Sequence, residues 1–255
     1  MSPRLVGMVH LGPLPGSPRF GGDFGAVLEA ATTDARILVD VGFDALMVEN
    51  FGDAPFYADD VPKTTIAAMT RAVAAVAAFE VPTGVNVLRN DALGALAVAA
   101  ATGAAFIRVN VLSGVMQTDQ GTITGKAAEV ARLRAAVAPE VMVFADVFVK
   151  HATPPPGLTI DRAAADLWER SGADAIVVSG PGTGRAVDRS HLERVAAAAP
   201  GAPIYVGSGA DADSARELLA LCNGLIVGTA IKVGGMTTAP VDAARARAFI
   251  AASSS

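Results

Sequence analysis

The chain has 255 residues, 52% of them hydrophobic, 18% charged and 5% aromatic, with a formal net charge of −5. That length supports a large buried core, and an acidic balance without a basic stripe argues against a nucleic-acid polymer as partner. The single Cys222 forms no internal disulfide, and no signal-peptide pattern precedes the first apolar run, so a cytoplasmic location is expected.

In chain order, short β-branched runs alternate with longer helical stretches. Strands are predicted at 4–11, 45–50, 82–88, 106–112, 141–148, 175–180, 203–209 and 224–230. Helices are predicted near 26–41, 64–79, 91–102, 126–138, 159–171, 188–199 and 211–221, with a last one after Pro240. The Ala-rich run 93–106 is interrupted by Thr102 and Gly103 and reads as a buried helix leading into a strand, so no transmembrane segment is expected. Thr159 with Asp161, Asp188 and Asp211 stand where a side chain caps free helix amides. Gly42, Gly103 and Gly172 stand where a helix ends in the left-handed conformation.

Nearly continuous apolar strands separated by helices imply a parallel sheet covered on its helix side. Eight such units in this length predict an α/β fold, a single (β/α)8 TIM barrel spanning residues 1–255. An open doubly wound sheet is the alternative, and eight regular units favour closure. The connections 12–24, 51–63 and 113–125 exceed the usual short βα loop. All three follow the C-terminal ends of strands, the face where barrel sites sit.

Strand parity then selects residues. In FIRVNVL (106–112), Ile107, Val109 and Val111 share one face, while Arg108 and Asn110 share the other and should point into the barrel. A buried arginine must meet a carboxylate, a phosphate or an anionic substrate; the plainer alternative is a structural ion pair with Glu49 or Asp146. His10, Glu49, Asn86, Asp146 and Ser179 lie near other strand ends. Each alone reads as a hydrogen-bonded core residue, but together they form a polar ring suited to acid–base work or binding. Of four lysines, Lys150 follows the fifth strand and Lys232 the eighth. A desolvated Lys150 could form a Schiff base, although charge pairing or phosphate contact suits both lysines.

No HxH or CxxC spacing marks a metal site, and no cofactor is firmly implied; a divalent cation held by Glu49, Asp146 and a substrate phosphate stays open. GTGR at 182–185 lacks the second half of a P-loop or dinucleotide fingerprint. Two glycine turns, Gly207-Ser208-Gly209 and Gly228-Thr229-Ala230, close the seventh and eighth strands. In barrels these adjacent loops, with a short extra helix, commonly hold phosphate, and residues from Thr229 to Lys232 could form that helical turn. The plainer alternative is that tight turns need glycine, and Asp211 and Asp213 count against an anion nearby.

The segments HLGPLPGSP (10–18), VENFGDAPF (48–56), NVLRNDALGALAVA (86–99), IRVNVLSG (107–114), TDQG (118–121), ADVFVKHA (145–152) and LIVGTAIKVGG (225–235) resemble the BtpA family. The resemblance spans about residues 4–245. It implies a phosphate-binding TIM barrel, and it links the chain to photosystem I biogenesis proteins and to SgcQ-like proteins of sugar catabolism. It transfers no catalytic assignment.

The leading expectation is an enzyme acting on a phosphorylated small molecule, a sugar phosphate or nucleotide derivative, by isomerase, lyase or glycosyl-type chemistry. His10, Glu49 and Asp146 are its candidates for proton transfer, Arg108 and Asn110 for stabilising negative charge, and Lys150 for amine chemistry. Gly207, Ser208, Gly209, Gly228, Thr229 and Lys232 would hold the phosphate, with Asn86 and Ser179 completing the binding set. The alternatives are a non-enzymatic assembly factor and a Schiff-base aldolase using Lys150. Homo-oligomerisation is compatible with each.

Overall fold

The computed structural model describes residues 3–180, 182 and 187–254. Its strands are β1 (Leu5–His10), β2 (Ala45–Glu49), β3 (Thr83–Asn86), β4 (Phe106–Val109), β5 (Val115–Thr118), β6 (Gly121–Thr124), β7 (Met142–Val147), β8 (Ala152–Thr153), β9 (Ala175–Val178), β10 (Ile204–Val206) and β11 (Gly224–Val227). Its helices are α1 (Phe24–Val41), α2 (Lys63–Ala77), α3 (Ala92–Thr102), α4 (Ala127–Val137), α5 (Ile160–Glu169), α6 (Arg189–Ala198), α7 (Ala215–Leu219) and α8 (Ala243–Ser254). Eight strands close a parallel barrel in the order β1-β11-β10-β9-β7-β4-β3-β2. Closure is visible at Val6, which stands opposite Ala45 of β2 on one side and Ile226 of β11 on the other.

Most barrel strands carry apolar residues on both faces, for different reasons. Outward residues such as Val9, Val48, Ile107 and Val178 pack under the helices. Inward residues form a separate core that includes Val6, Met8, Met47, Phe106, Phe144, Val177, Tyr205 and Ile226. The rings of Phe106 and Phe144 stack at 4.8 Å between centroids, and Phe144 meets Tyr205 at 4.7 Å. Such ring pairs contribute about 0.5–1.5 kcal/mol beyond their buried area. Gly84 makes the stack fit, because a Cβ there would stand 2.2 Å from the Phe106 ring.

Helix ends follow their signals. Thr159 accepts from the Arg162 amide and Asp188 from the Ser190 amide, as capping side chains do. Gly42 and Gly103 close α1 and α3 at φ of 102° and 72°.

Three boundaries differ from expectation. Most barrel strands stop short of their predicted ends, β10 at Val206 and β11 at Val227, because the chain leaves the ladder there to form the mouth of the barrel. The helix predicted over 211–221 is only α7, since Asp211 Oδ1 accepts from the Ser214 amide and makes a turn of its first residues. The connection 113–125, read as a loop, holds the antiparallel hairpin β5–β6, extended by β8. Met116 and Ile123 face one side of it and pack with Val111 and Val149 in a small satellite core. Among the described residues no helix is long and apolar enough to cross a membrane.

Candidate functional site

Above the aromatic layer the inward positions turn polar. His10 ends β1, Glu49 ends β2 directly opposite it, and Asn86 ends β3 opposite Glu49. Arg108 belongs to β4 and Asp146 to β7, two residues further along each strand than Phe106 and Phe144. The inward parity predicted for Arg108 thus holds, and its partner is a carboxylate. Arg108 Nε donates to Asp146 Oδ1 at 3.0 Å and Nη2 to Oδ2 at 3.1 Å, with both side chains buried. Burial opposes charge on this guanidinium, but Asp146 outweighs it and raises the pKa. Asn110 Nδ2 adds a 2.7 Å bond to the same carboxylate.

Asp146, expected to carry protons, is therefore bound by three donors and serves to position Arg108 and Asn110. Ser179 Oγ and the Gly207 carbonyl lie 3.4 and 3.5 Å from the other side of Arg108. Ser179 and Asn86 do not reach the cavity wall; Asn86 Nδ2 instead donates to Glu49 Oε2 at 2.8 Å.

That bond leaves Glu49 Oε1 facing His10 Nε2 at 3.7 Å. The distance would make an ion pair if His10 were charged. Burial, helped by the cations Lys232, Lys150 and Arg108, holds its pKa well below the ordinary imidazole value. His10 is thus a neutral imidazole at neutral pH, tilted against Phe51 at 5.1 Å. Its buried Nδ1 has no hydrogen-bond partner among the described residues.

The two glycine turns lie side by side, one after β10 and one after β11, and line a cavity of about 170 Å³ together with His10, Glu49, Arg108 and Lys150. Their glycines answer to close approach. A Cβ at Gly207 would stand 2.8 Å from both Arg108 Nη2 and Ser179 Oγ, and one at Gly228 would stand 2.8 Å from His10 Cε1. Gly209, at φ +84°, supplies the left-handed turn. The amides of Ser208, Gly209, Thr229 and Ala230 make no loop hydrogen bond among the described residues. Ser208 Oγ is likewise buried without a partner among them. Thr229–Ile231 forms the predicted helical turn, as a single 3-10 turn. Asp211 lines the same wall, with its carboxylate turned to the hydroxyl and amide of Ser214.

Lys232 does not belong to this group. Its ammonium is fully buried in the helix layer, 2.6 Å from Asp34 Oδ2, and is absent from the cavity wall. The strand that ends at Val227 turns through Thr229–Ile231, which carries Lys232 back toward α1. Burial lowers its pKa although Asp34 opposes the shift.

Lys150 does reach the site and lines both halves of the cavity. Burial is the main cause of its lowered pKa, against the pull of Glu49. It takes part in no ion pair among the described residues.

Parity reasoning missed residues that the loops deliver. Arg89 and the hairpin tip Asp119–Gln120 line a second half of the cavity, while Thr237 and Arg245 complete the first. Asn90, just after β3, exchanges two bonds with the Val111 backbone, 3.0 Å to its carbonyl and 2.7 Å from its amide, fixing two βα loops together. The polar run Arg89-Asn90-Asp91 directly after a strand was the available signal. Residues 183–185 of the GTGR segment lie outside the described residues. Glu49 and Asp146, the carboxylates considered for a divalent cation, are engaged as above. Among the described residues no group of three His, Cys, Asp or Glu side chains is placed to hold a metal ion.

A protein of Thermococcus kodakarensis is 50% identical over 249 residues, covering 96% of this chain and 93% of its own. The photosystem I biogenesis protein BtpA of Synechocystis is 45% identical over 249 residues, covering 97% of this chain and 87% of its own. Among solved structures, the thiamine phosphate pyrophosphorylase of Pyrococcus furiosus superposes with a TM-score of 0.60 at 13% identity, covering 98% of this chain and 95% of its own. At that identity the likeness concerns the fold alone. The BtpA family model matches residues 1–255, and the chain belongs to the BtpA family.

Proposed function

We propose that the protein is an enzyme acting on a phosphorylated small molecule by proton transfer at the C-terminal mouth of its barrel. What carries the reading is that the two glycine turns share one cavity with His10, Glu49, Arg108 and Lys150. The turn amides and Ser208 Oγ would hold the phosphate, with Arg245 at the rim. Several barrels superpose on this chain whose names refer to phosphorylated compounds, the pyrophosphorylase and phosphoribosyl anthranilate isomerases among them. Glu49 Oε1 is the base in this reading, neutral His10 the proton donor or relay, and the Arg108–Asn110 pair the stabiliser of charge on a substrate oxygen. An isomerisation or a lyase cleavage uses these parts equally.

Calorimetric titration with glycerol 3-phosphate, ribose 5-phosphate and a nucleoside monophosphate tests it. Saturable binding displaced by inorganic phosphate is expected; no binding at millimolar concentration overturns the reading. Once a substrate is known, Glu49→Gln should lower kcat by about 10²–10⁴-fold, the usual share of one acid–base group.

A Schiff-base reaction at Lys150 is favoured by its lowered pKa and lack of a carboxylate partner. Borohydride should then trap substrate on Lys150, and failure with the true substrate ends that reading. The name of the Synechocystis relative favours a non-enzymatic biogenesis role. On that account, this chain carrying Glu49→Gln would still restore a Synechocystis strain lacking its own BtpA, whereas the enzyme reading expects that variant to fail.

A further inference from the structure

The second half of the cavity encloses about 340 Å³, against about 170 Å³ beneath the glycine turns, and the two meet at Glu49, Arg108 and Lys150. A site of this combined extent takes a small metabolite longer than its phosphate. The lining of the larger half joins the apolar side chains Phe51, Phe56 and Leu88 to the guanidinium of Arg89.

Arg89 is only 5% exposed. Its guanidinium makes one hydrogen bond among the described residues, from Nη2 to the Lys150 carbonyl at 2.5 Å, and takes part in no ion pair among them. A guanidinium offers five N–H donors in a planar fork, so one bond to a loop carbonyl leaves most of the fork unused. Arg108, equally buried, has its full carboxylate partner in Asp146. A buried cation without an anion is costly to keep. Arg108 and Asp146 form one neutral pair, and Arg89 and Lys150 share the cavity with the carboxylates of Glu49 and Asp119, neither of which lies within ion-pair distance of Arg89. An open guanidinium fork in a buried cavity selects an anion that completes it. A single planar fork beside two phenyl rings matches a planar carboxylate on an apolar or unsaturated stem, since phosphate takes more donors.

We infer that Arg89 binds a carboxylate at the end of the substrate remote from the phosphate, which makes the substrate class a phosphorylated carboxylic acid. The assignment rests on the phosphate reading for the other end of the molecule. Phe51 and Phe56 cover the stem, and the reacting carbons lie between, beside Glu49, His10 and Lys150.

Three probes test it on the full chain by calorimetry: glycerol 3-phosphate, 3-phosphoglycerate and the phosphate-free carboxylate phenylacetate. Wild-type protein should bind 3-phosphoglycerate about ten-fold or more tighter than glycerol 3-phosphate, the size of one charge-assisted carboxylate–arginine contact. Arg89→Met should collapse that ratio toward one and abolish phenylacetate binding. Arg89→Lys, which keeps the charge without the fork, should retain part of the preference, and it serves as the test if the methionine variant does not fold. Equal affinity for the two phosphate esters in the wild type, or a preference surviving Arg89→Met, overturns the carboxylate site. Failure of both phosphate esters with Arg89-dependent phenylacetate binding overturns the phosphate reading and leaves Arg89 as a carboxylate site. Failure of all three overturns both.

Discussion

Lys150 and Lys232 carry the same ammonium and meet opposite fates according to what lies within its reach. Lys232 has Asp34 at 2.6 Å, which also accepts from the Val241 amide at 2.7 Å. Lys150 has a cavity before it and no ion pair among the described residues. Lys232→Met should therefore cost about 3–5 kcal/mol, because it strands a buried carboxylate. In denaturant titration, the double variant with Asp34→Asn should lose clearly less than the two single losses added together. His10 makes a pH prediction. Its folded pKa is depressed by burial first and by neighbouring cations second, while in the unfolded chain it titrates near about 6.5. Below that pH the unfolded state binds the extra proton, so stability falls as pH drops through the window beneath it. His10→Gln lacks this share of the slope. Unfolding curves at pH 7 and pH 5 should show the variant gaining on the wild type in acid; a constant gap between them would refute the assignment.

At the scale of elements, the glycine turns tie backbone to site. Gly207 follows the last β10 residue and makes room for Arg108 and Ser179. Gly207→Ala would bring a Cβ to 2.4 Å from Val177 Cγ1 and 2.8 Å from Arg108 Nη2. Overpacking of this kind costs about 1–3 kcal/mol. It should also weaken binding of phosphate esters, read by calorimetry on the folded variant. Asn90 works between elements, joining the loop after β3 to the one after β4 through Val111. Asn90→Ala leaves both Val111 backbone groups without that partner, a loss of about 1–3 kcal/mol for each buried group left unsatisfied. Strand parity could place Arg108 because strands alternate with period two, and β4 is a strand. It could not place Arg89, Asn90 or Asp119, which stand on loops where no period exists. The hairpin β5–β6 escaped for a related reason: eight residues of strand in two short runs, with one side mostly exposed, leave little apolar alternation to read.

Across the whole molecule, the barrel concentrates charge at one end. Its interior is filled by aromatic and aliphatic side chains below, and the inward charged residues Glu49, Arg108 and Asp146 lie above them. A ligand bound at that mouth touches loops from several strands at once, so it should stabilise the folded state as a unit. Saturating phosphate ester at about 100 times its Kd would add about 2.7 kcal/mol and raise the Tm measurably; an unchanged Tm at saturation by calorimetry would contradict that linkage. The number of barrel strands, their alternation with helices, the inward parity of Arg108 and the adjacency of the two glycine turns were all legible in the order of residues. Each follows from local periodicity and from the rule that parallel strands need crossovers. Tertiary structure alone decided which carboxylate Arg108 meets, that Lys232 turns away to Asp34, and that Arg89 enters the cavity. Those outcomes depend on groups up to 198 residues apart in sequence, as Lys232 and Asp34 are, and on burial and charge balance that exist only once the barrel has closed.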